Sequence, residues 1–415
     1  MSVEKLSTTL IQNALIPDKG LVDLSIDNGR ISAITQAGEL NHSEQTHDLN
    51  GWLLLPAMAE PHAHLDKALT ADQVPNPSGE LMGAIKAWIA AAKEGTFTHE
   101  NTVQRASEAM ELLLVHGVTA IRTHVNVTED IGVSSLEALD EAKQNFEGLL
   151  DVQVVALMNS PMTGQDSKGN IQALEAAIEF GVDLLGGCPH LEPAPKEMIR
   201  FMFEVAEQAG LGIDFHVDET LDPNVLTLKD LAVQSLERGF PHLLSASHCV
   251  SLGMQPENVQ IEVAKLVREA GISVFTLPQT NLFLQGRDRV SEMPRGLTAI
   301  KTLTDEGVLI AAGADNVRDP FNTMGRSDPF ETASLMVMAG HQTPEVAFDL
   351  VSLNARKAMG LEKAALEVGD LADFVAVEAP TLATAIADSP MNRRVFKQGI
   401  LVASADQHTM IHNIL

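Results

Sequence analysis

The sequence predicts an α/β protein whose centre is a TIM (β/α)8 barrel, with a small β-sandwich domain formed by both chain termini. Three observations indicate this class: eight apolar stretches in the middle of the chain, helical patterns between most of them, and short β segments at both ends. Apolar strands that alternate with helices are typical of parallel sheets buried on both faces. The roughly 300 residues involved also suit a closed barrel.

The two ends of the chain predict the small domain. Near the N-terminus, LVDLSIDNGRISAI places apolar segments around Asn28 and Gly29, which tolerate positive φ and so favour a hairpin turn. Near the C-terminus, DLADFVAVE reads as a strand, and RRVFKQGILVAS predicts a second hairpin that turns at Gln398 and Gly399. We therefore expect strands from both ends to share one small domain.

The middle of the chain supplies the barrel strands. In order they are LLLPAMAE, VTAIRTHV, DVQVVALM, VDLLGGC, LGIDFHV, HLLSASHC, ISVFTLP and GVLIAAGA. Helical periodicity separates most of them, as in NTVQRASEAMELLLVHG and KEMIRFMFEVAEQAG. A doubly wound open sheet is the alternative, but no Gly-x-Gly-x-x-Gly follows any strand and no Walker loop is present. We expect the small domain to comprise residues 1–56 and 366–415, and the barrel residues 57–365.

Composition excludes several classes of function. The formal net charge of -28 argues against nucleic acid or a membrane as partner, since anionic surfaces would repel the protein, and favours a neutral or cationic small substrate. No apolar run approaches the roughly 18 residues of a membrane span, and the N-terminus lacks the pattern of a secretory signal. The two cysteines, Cys188 and Cys249, form no disulfide framework, so we expect a cytoplasmic protein.

Polar side chains collect at the C-terminal ends of the predicted strands, where barrel enzymes build their sites. Strand one ends in His62 and His64, which are two residues apart and therefore face the same side. Strand five ends in His216, strand six in His248 and strand eight in Asp315. Other strand ends carry Arg122, His124, Asn159, Gln279, Asn281 and Asn316.

Strands one, five and eight together predict a metal site. A closed barrel places strand eight beside strand one, so Asp315 meets His62 and His64, while His216 approaches from the opposite side. Three imidazoles and one carboxylate are suitable ligands for one divalent metal ion, Zn²⁺ or Fe²⁺. Such an ion lowers the pKa of a bound water towards neutral and thereby supplies a nucleophile for hydrolysis.

Two further strand-end residues fit proton transfer. Glu219 and His248 would lie close to the metal without binding it, one able to shuttle protons and the other to orient water. Each residue has an ordinary alternative, because a single strand-end histidine is more often structural, Asp315 could cap a turn and Glu219 could be a solvated carboxylate. The joint placement on strands one, five, six and eight favours the catalytic interpretation.

These motifs resemble the amidohydrolase superfamily and, within it, the bacterial cytosine deaminase group. The resemblance runs in order through PAMAEPHAHLDK, RTHVNV, GVDLLGGCPHLEP, DFHVDET, SASHC, NLFLQGR, GADNVRDPF and GDLADFVAV. It implies a mononuclear centre on the four ligands above, because binuclear relatives need a modified lysine at the end of strand four, where this chain has LLGGCPH. It also implies a hydrolase of non-peptide carbon–nitrogen bonds, and it is compatible with a homo-oligomer.

The resemblance further implies deamination of a cytosine-like heterocycle, an aminopyrimidine or a related ring. Asp315 would take a proton from the attacking water, Glu219 would protonate a ring nitrogen, and ammonia would leave. The alternatives are removal of an alkylamine from an aminotriazine, as in N-isopropylammelide amidohydrolases, which HLDK and DNVRD resemble, or opening of a cyclic amide. The residues expected to contact substrate are Lys67, Asn159, Gln279, Asn316, Arg318 and Phe321.

Overall fold

The computed structural model describes residues 8–40, 43 and 45–412, and its strands form two eight-stranded sheets. The strands are β1 (Thr9–Ile16), β2 (Gly20–Asp27), β3 (Arg30–Gln36), β4 (Gln45–Asp48), β5 (Leu53–Pro56), β6 (Met58–Ala63), β7 (Val118–Val127), β8 (Asp151–Met158), β9 (Leu184–Gly187), β10 (Gly212–Val217), β11 (Leu244–His248), β12 (Ser273–Thr276), β13 (Ile310–Ala312), β14 (Phe374–Val377), β15 (Arg393–Lys397) and β16 (Ile400–Ala405).

Helices lie mainly between the strands of the second sheet. They are α1 (Leu81–Lys93), α2 (His99–Val115), α3 (Ser134–Gln144), α4 (Lys168–Phe180), α5 (Pro195–Ala209), α6 (Thr227–Arg238), α7 (Glu257–Glu269), α8 (Pro278–Leu284), α9 (Ile300–Asp305), α10 (Pro329–Met338), α11 (Pro344–Val351), α12 (Leu353–Ala358) and α13 (Leu382–Asp388). Among the described residues, no helix is both long and apolar enough to cross a membrane.

The first sheet combines both ends of the chain, in the order β16-β15-β14-β5-β1-β2-β3 with β4 beside β1. Strand β5 joins the two ends, because it pairs parallel with β1 and antiparallel with β14. Both predicted hairpins are confirmed: Asn28 and Gly29 turn with φ of 52° and 74°, and Gln398 and Gly399 with φ of 49° and 78°. Positive φ at both central residues matches the twist of the paired strands.

Strand β5 shows how this sheet packs on both of its faces. Leu54 is buried in the sheet's own apolar cluster with Phe374 and Phe396, whereas Leu53 and Leu55 join the large cluster of the barrel. Alternate residues of a strand face opposite sides, so one strand contributes to both cores. Strand β5 ends at Pro56 and β6 begins at Met58, and we propose the division into domains given above on this basis.

The second sheet is the predicted barrel. Its eight strands, β6 to β13, pair in chain order and in parallel, and a parallel bridge between Ala63 and Asp315 brings the last strand end to the first. Every predicted barrel strand overlaps one of these strands, so the (β/α)8 fold class is confirmed. Small side chains such as Ala59 and Ala120 surround Phe275 and fill the barrel interior with apolar atoms.

Helix α5 shows why the intervening segments become helices. Met198, Met202 and Ala206 recur at a spacing of four residues, and all three are fully buried. This spacing places them on one face of a helix, where they pack against the barrel. The helix begins with Pro195, which is suited to the first turn, and ends at Gly210 with φ of 70°.

Candidate metal centre

Five buried imidazoles meet at the C-terminal end of the barrel. His62 and His64 come from the end of β6, His124 from β7, His216 from β10 and His248 from β11. Their ring centroids lie 4.1 to 5.6 Å apart where they contact one another. The strand ends thus bring together side chains that are up to 186 positions apart in sequence, as His62 and His248 are.

The ligand atoms of His62, His64 and His216 all lie within 4.8 Å of one another, and Asp315 approaches two of them. The Nε2 atom of His216 lies 3.2 Å from Nε2 of His62 and 3.1 Å from Nε2 of His64. Asp315 Oδ1 lies 3.6 Å from His62 Nε2 and 3.3 Å from His64 Nε2. Ligands about 2.1 Å from a tetrahedral Zn²⁺ would be separated by about 3.4 Å, so this spacing suits a single divalent ion.

The polar atoms of this cluster fit a cation chemically as well. Both carboxylate oxygens of Asp315 are buried and have no hydrogen-bond partner among the described residues. Unpaired buried charge is costly, and a metal ion would offset that cost. Burial lowers the pKa of all three histidines well below the usual value, so they are in the neutral form that binds metals.

Two of these histidines have a defined partner on the ring nitrogen that faces away from the cluster. His62 Nδ1 lies 2.9 Å from Ser247 Oγ, and His64 Nδ1 lies 3.2 Å from the carbonyl oxygen of His124. Metal binding through Nε2 would place the proton of His64 on Nδ1, where the carbonyl oxygen can accept it.

Glu219 and His248 flank the same cluster. His248 Nδ1 lies 3.6 Å from Glu219 Oε1, and His248 Nε2 lies 4.0 Å from Asp315 Oδ2. Burial raises the pKa of Glu219 to about 8. Burial also lowers the pKa of His248 to about 3, although a 3.0 Å hydrogen bond to Asn281 opposes this shift. At neutral pH, Glu219 therefore can donate a proton, while His248 is a neutral acceptor at Nε2.

A buried polar layer lies beneath the histidines. Arg122 Nη1 donates to Asp214 Oδ2 over 2.8 Å, and Ser247 Oγ donates to Asp214 Oδ1 over 3.1 Å. Sequence reasoning did not assign a function to Asp214 or Ser247. A signal was present for Asp214, because it precedes His216 by two residues and so faces the barrel interior one layer deeper.

This layer contains a second group of potential ligands, His62, His124 and Asp214. Both oxygens of Asp214 already accept hydrogen bonds, one from Arg122 and one from Ser247. Asp315, by contrast, has two free oxygens. The side chains around Asp315 are therefore the better metal site, and there His62, His248 and Asp315 form a third group of potential ligands.

Lys67 lies next to the centre with a buried ammonium group. Its Nζ atom is 2.6 Å from Asn126 Oδ1 and 3.1 Å from His64 Nδ1. It also lies 5.6 Å from the ring centroid of Trp88 and 6.0 Å from that of Phe321, within the range of cation–π attraction. The structure thus groups Lys67 and Phe321, both predicted substrate contacts, with Trp88 and Asn126.

The other predicted substrate contacts have different surroundings. Asn316 is buried, and its amide donates to Asp319 over 2.8 Å. Gln279 donates to Thr332 of α10 over 2.7 Å. The two remaining side chains, Asn159 and Arg318, are exposed. These four roles remain predictions.

A cavity of ≈ 420 Å³ reaches Glu219 from the surface. Its walls include Leu81 and Met82 of α1 and Leu284 of α8, and Gln285 donates to the carbonyl oxygen of Glu219 over 3.2 Å. About half of the residues that line this cavity are polar or charged, so a ligand there would meet both apolar and hydrogen-bonding groups.

Comparisons with known proteins agree with this geometry. The protein-family model described as "Amidohydrolase family" matches residues 53–402 of this chain. The pterin deaminase of Rhizobium rhizogenes is 29% identical over 97% of this chain and 95% of its own. The N-isopropylammelide isopropyl amidohydrolase of Pseudomonas sp. strain ADP is 25% identical over 95% and 96%. The structure of 5-methylcytosine deaminase from Klebsiella pneumoniae with 5-fluorocytosine superimposes with a TM-score of 0.87 and 27% identity, covering 97% of this chain and 99% of that one.

Proposed function

The chain belongs to the amidohydrolase family and is a hydrolase of carbon–nitrogen bonds, and we propose that it deaminates a cytosine-like heterocycle. Two of the relatives described above are named as deaminases, of pterin and of 5-methylcytosine, and both compounds contain an amino-substituted pyrimidine ring. The observation that carries the proposal is the pairing of a protonated Glu219 with an unpartnered Asp315 across His248.

In this proposal His62, His64, His216 and Asp315 hold one divalent metal ion, Zn²⁺ or Fe²⁺. When bound, the ion acidifies water and so supplies the nucleophile for hydrolysis. The donor set of three neutral imidazoles and one carboxylate supports this assignment, because it suits such ions better than Mg²⁺ or Ca²⁺.

Proton transfer in this proposal falls to Glu219 and Asp315. Asp315 accepts a proton from the attacking water, because neither of its carboxylate oxygens has a hydrogen-bond partner among the described residues. Glu219 gives its proton to a ring nitrogen of the substrate, and His248 accepts a hydrogen bond at Nε2. The proton on Asp315 then passes to the amino group and the carbon–nitrogen bond breaks, so that ammonia leaves. The proton of the added hydroxyl group returns to Glu219, which leaves a carbonyl on the ring and restores the acid.

Lys67 gives the proposal a preference among substrates. Lys67 donates to Asn126 over 2.6 Å and to Asp66 over 3.5 Å, and so retains one N–H group for another acceptor. A carbonyl oxygen on the substrate ring would satisfy it. We therefore expect a neutral amino-substituted pyrimidinone, alone or fused to a second ring, stacked near Trp88 and Phe321.

The test is an assay of product release by the metal-loaded protein. Cytosine, 5-methylcytosine, pterin and N-isopropylammelide are supplied separately, and ammonia and isopropylamine are measured. We expect ammonia from at least one of the first three, and its loss in Glu219→Gln, which keeps the shape but not the acid. Glu197→Gln, an exposed glutamate on α5, is the control and should retain activity.

Release of isopropylamine without ammonia would instead establish the second candidate function, which the N-isopropylammelide relative favours. If a stoichiometrically metal-loaded protein released neither product from any of the four compounds, the proposal would be overturned.

A further inference from the structure

A chain of hydrogen bonds in the polar layer ends on His62. Arg122 Nη1 lies 2.8 Å from Asp214 Oδ2, and Ser247 Oγ lies 3.1 Å from Asp214 Oδ1. The same Ser247 oxygen lies 2.9 Å from His62 Nδ1. All four side chains are 0% exposed, so water does not compete for these bonds.

The direction of each bond follows from the groups involved. A guanidinium only donates, and an ionised carboxylate only accepts. Asp214 therefore receives the Arg122 proton on one oxygen and the single Ser247 hydroxyl proton on the other. Ser247 has no second proton, so it must accept from His62, which then carries its ring proton on Nδ1. The lone pair of His62 is left on Nε2, the atom 3.2 Å from Nε2 of His216.

We propose that Arg122, Asp214 and Ser247 are positioning residues that hold His62 in the tautomer and orientation required for metal binding. The inference rests on the ligand set proposed above. His64 is oriented by the backbone carbonyl of His124, which no substitution removes. The hydrogen bonds that orient His62 come from side chains, which substitution can remove. Loss of a hydrogen-bond partner of a metal-binding histidine typically lowers metal affinity by about 10- to 100-fold.

Strand β11 offers a matched control. Ser245 and Ser247 are two residues apart and face the barrel interior together. Ser245 Oγ accepts from Arg122 over 3.1 Å, at the far end of the chain from His62. Both serines are buried, so Ser245→Ala removes a buried hydroxyl from the same strand while leaving the bond to His62 in place.

The experiment measures the affinity of the protein for Zn²⁺ by competition with a chelator. We expect Ser247→Ala to bind Zn²⁺ about 10- to 100-fold more weakly, and Ser245→Ala to bind like the unsubstituted protein. Equal weakening in both serine variants, or none in Ser247→Ala, would overturn the proposal.

A second pair of variants tests the same role of Ser247 if Ser247→Ala does not fold. Ser247→Thr and Ser247→Val have nearly the same shape and differ in the hydroxyl. We expect the threonine variant to retain Zn²⁺ affinity and the valine variant to lose it, with 15N spectra of histidine side chains showing His62 protonated on Nδ1 only where the hydroxyl is present. Equal affinities in this pair would contradict the inference.

His62→Ala separates this inference from the ligand set. Full retention of Zn²⁺ in that variant would overturn the ligand set itself. Loss of Zn²⁺ there, together with unchanged affinity in Ser247→Ala and Ser247→Val, would overturn only the positioning role.

Discussion

Two buried aspartates, Asp328 and Asp315, illustrate two different uses of charge in this protein. Asp328, at the start of α10, accepts two hydrogen bonds from the Arg393 guanidinium of β15, over 3.0 and 2.8 Å. The guanidinium also donates to the carbonyls of His116 and Pro390. Asp315 is as deeply buried, yet its oxygens have no hydrogen-bond partner among the described residues.

The pKa values of the two carboxyl groups are therefore shifted in opposite directions. Burial raises the pKa of Asp328, but the pairing with Arg393 outweighs burial, and the result lies below the ordinary value. Burial raises the pKa of Asp315 well above the ordinary value, and nearby carboxylates such as Glu219 raise it further. A satisfied buried charge joins two parts of a fold, whereas an unsatisfied one is available to bind and react.

The largest expected effect is loss of activity in Asp315→Asn. Removing the proton acceptor and a proposed metal ligand should lower kcat by about 10²–10⁴-fold, the range for a lost acid–base group, or more if metal is lost. The metal-free variant should be about as stable as the unsubstituted protein, because burial already disfavours the charged form of Asp315 and the amide has nearly the same shape. Steady-state kinetics and urea unfolding in EDTA test both parts, and retained activity would contradict our assignment.

The next effect concerns stability alone. Arg393→Met leaves Asp328 buried without its partner and should lower the free energy of unfolding by about 3–5 kcal/mol. Metal content should be unchanged. Arg394→Met is the control, because Arg394 pairs with the exposed Asp406 and such surface pairs contribute about 0–1 kcal/mol. A similar loss of unfolding free energy in the two variants would contradict the expected difference between the buried pair and the exposed pair.

A smaller effect should appear in the pH dependence. Glu219 is protonated below its pKa of about 8 and loses its proton above it, so kcat/KM should fall about tenfold per pH unit well above that value. The residual activity of Glu219→Gln should show no such alkaline decline. The Asp328 pair has the opposite sign: its stabilisation is present above the ordinary pKa and is lost as pH falls through the lowered folded value. Unfolding measured at acid pH, with Arg393→Met for reference, tests this second part.

The smallest effect concerns a turn of the terminal sheet. Gly399 has φ of 78°, and a Cβ added there would lie 2.6 Å from Ile26 Cγ2. Gly20 has nearly the same φ, 77°, with nothing within 4 Å of the added atom. Gly20→Ala should therefore cost about 1 kcal/mol of backbone strain, and Gly399→Ala should cost more. Thermal unfolding measures the difference, and neither change should alter kcat.

The sequence was sufficient to predict the barrel and to predict which strand ends lie next to one another. Eight apolar stretches with helices between them specify the barrel, and its closure determines that Asp315 lies beside His62. Such inferences need only the period of a strand and the order of a sheet.

The sequence was insufficient where a side chain chooses between partners on different elements. The sequence did not indicate that the amide of Gln279 donates to Thr332 of α10, and its contact with substrate remains a prediction. Ser247 gave no signal, because a serine inside a strand acquires a role only through its distances to Asp214 and His62. These choices depend on rotamers and on tertiary contacts that no local pattern encodes.

Strand β5 also has a consequence for synthesis of the chain. It pairs with β14, whose first residue follows Pro56 by 318 positions. At about 5–20 residues per second, a ribosome needs roughly 15–60 s to produce that interval. Throughout this time Leu53 to Leu55 have no partner from the C-terminal strands, and the emerging barrel helices must form beside an incomplete sheet edge. A nascent chain of this architecture therefore presents a strand edge to chaperones and to other chains until its last segments have been made.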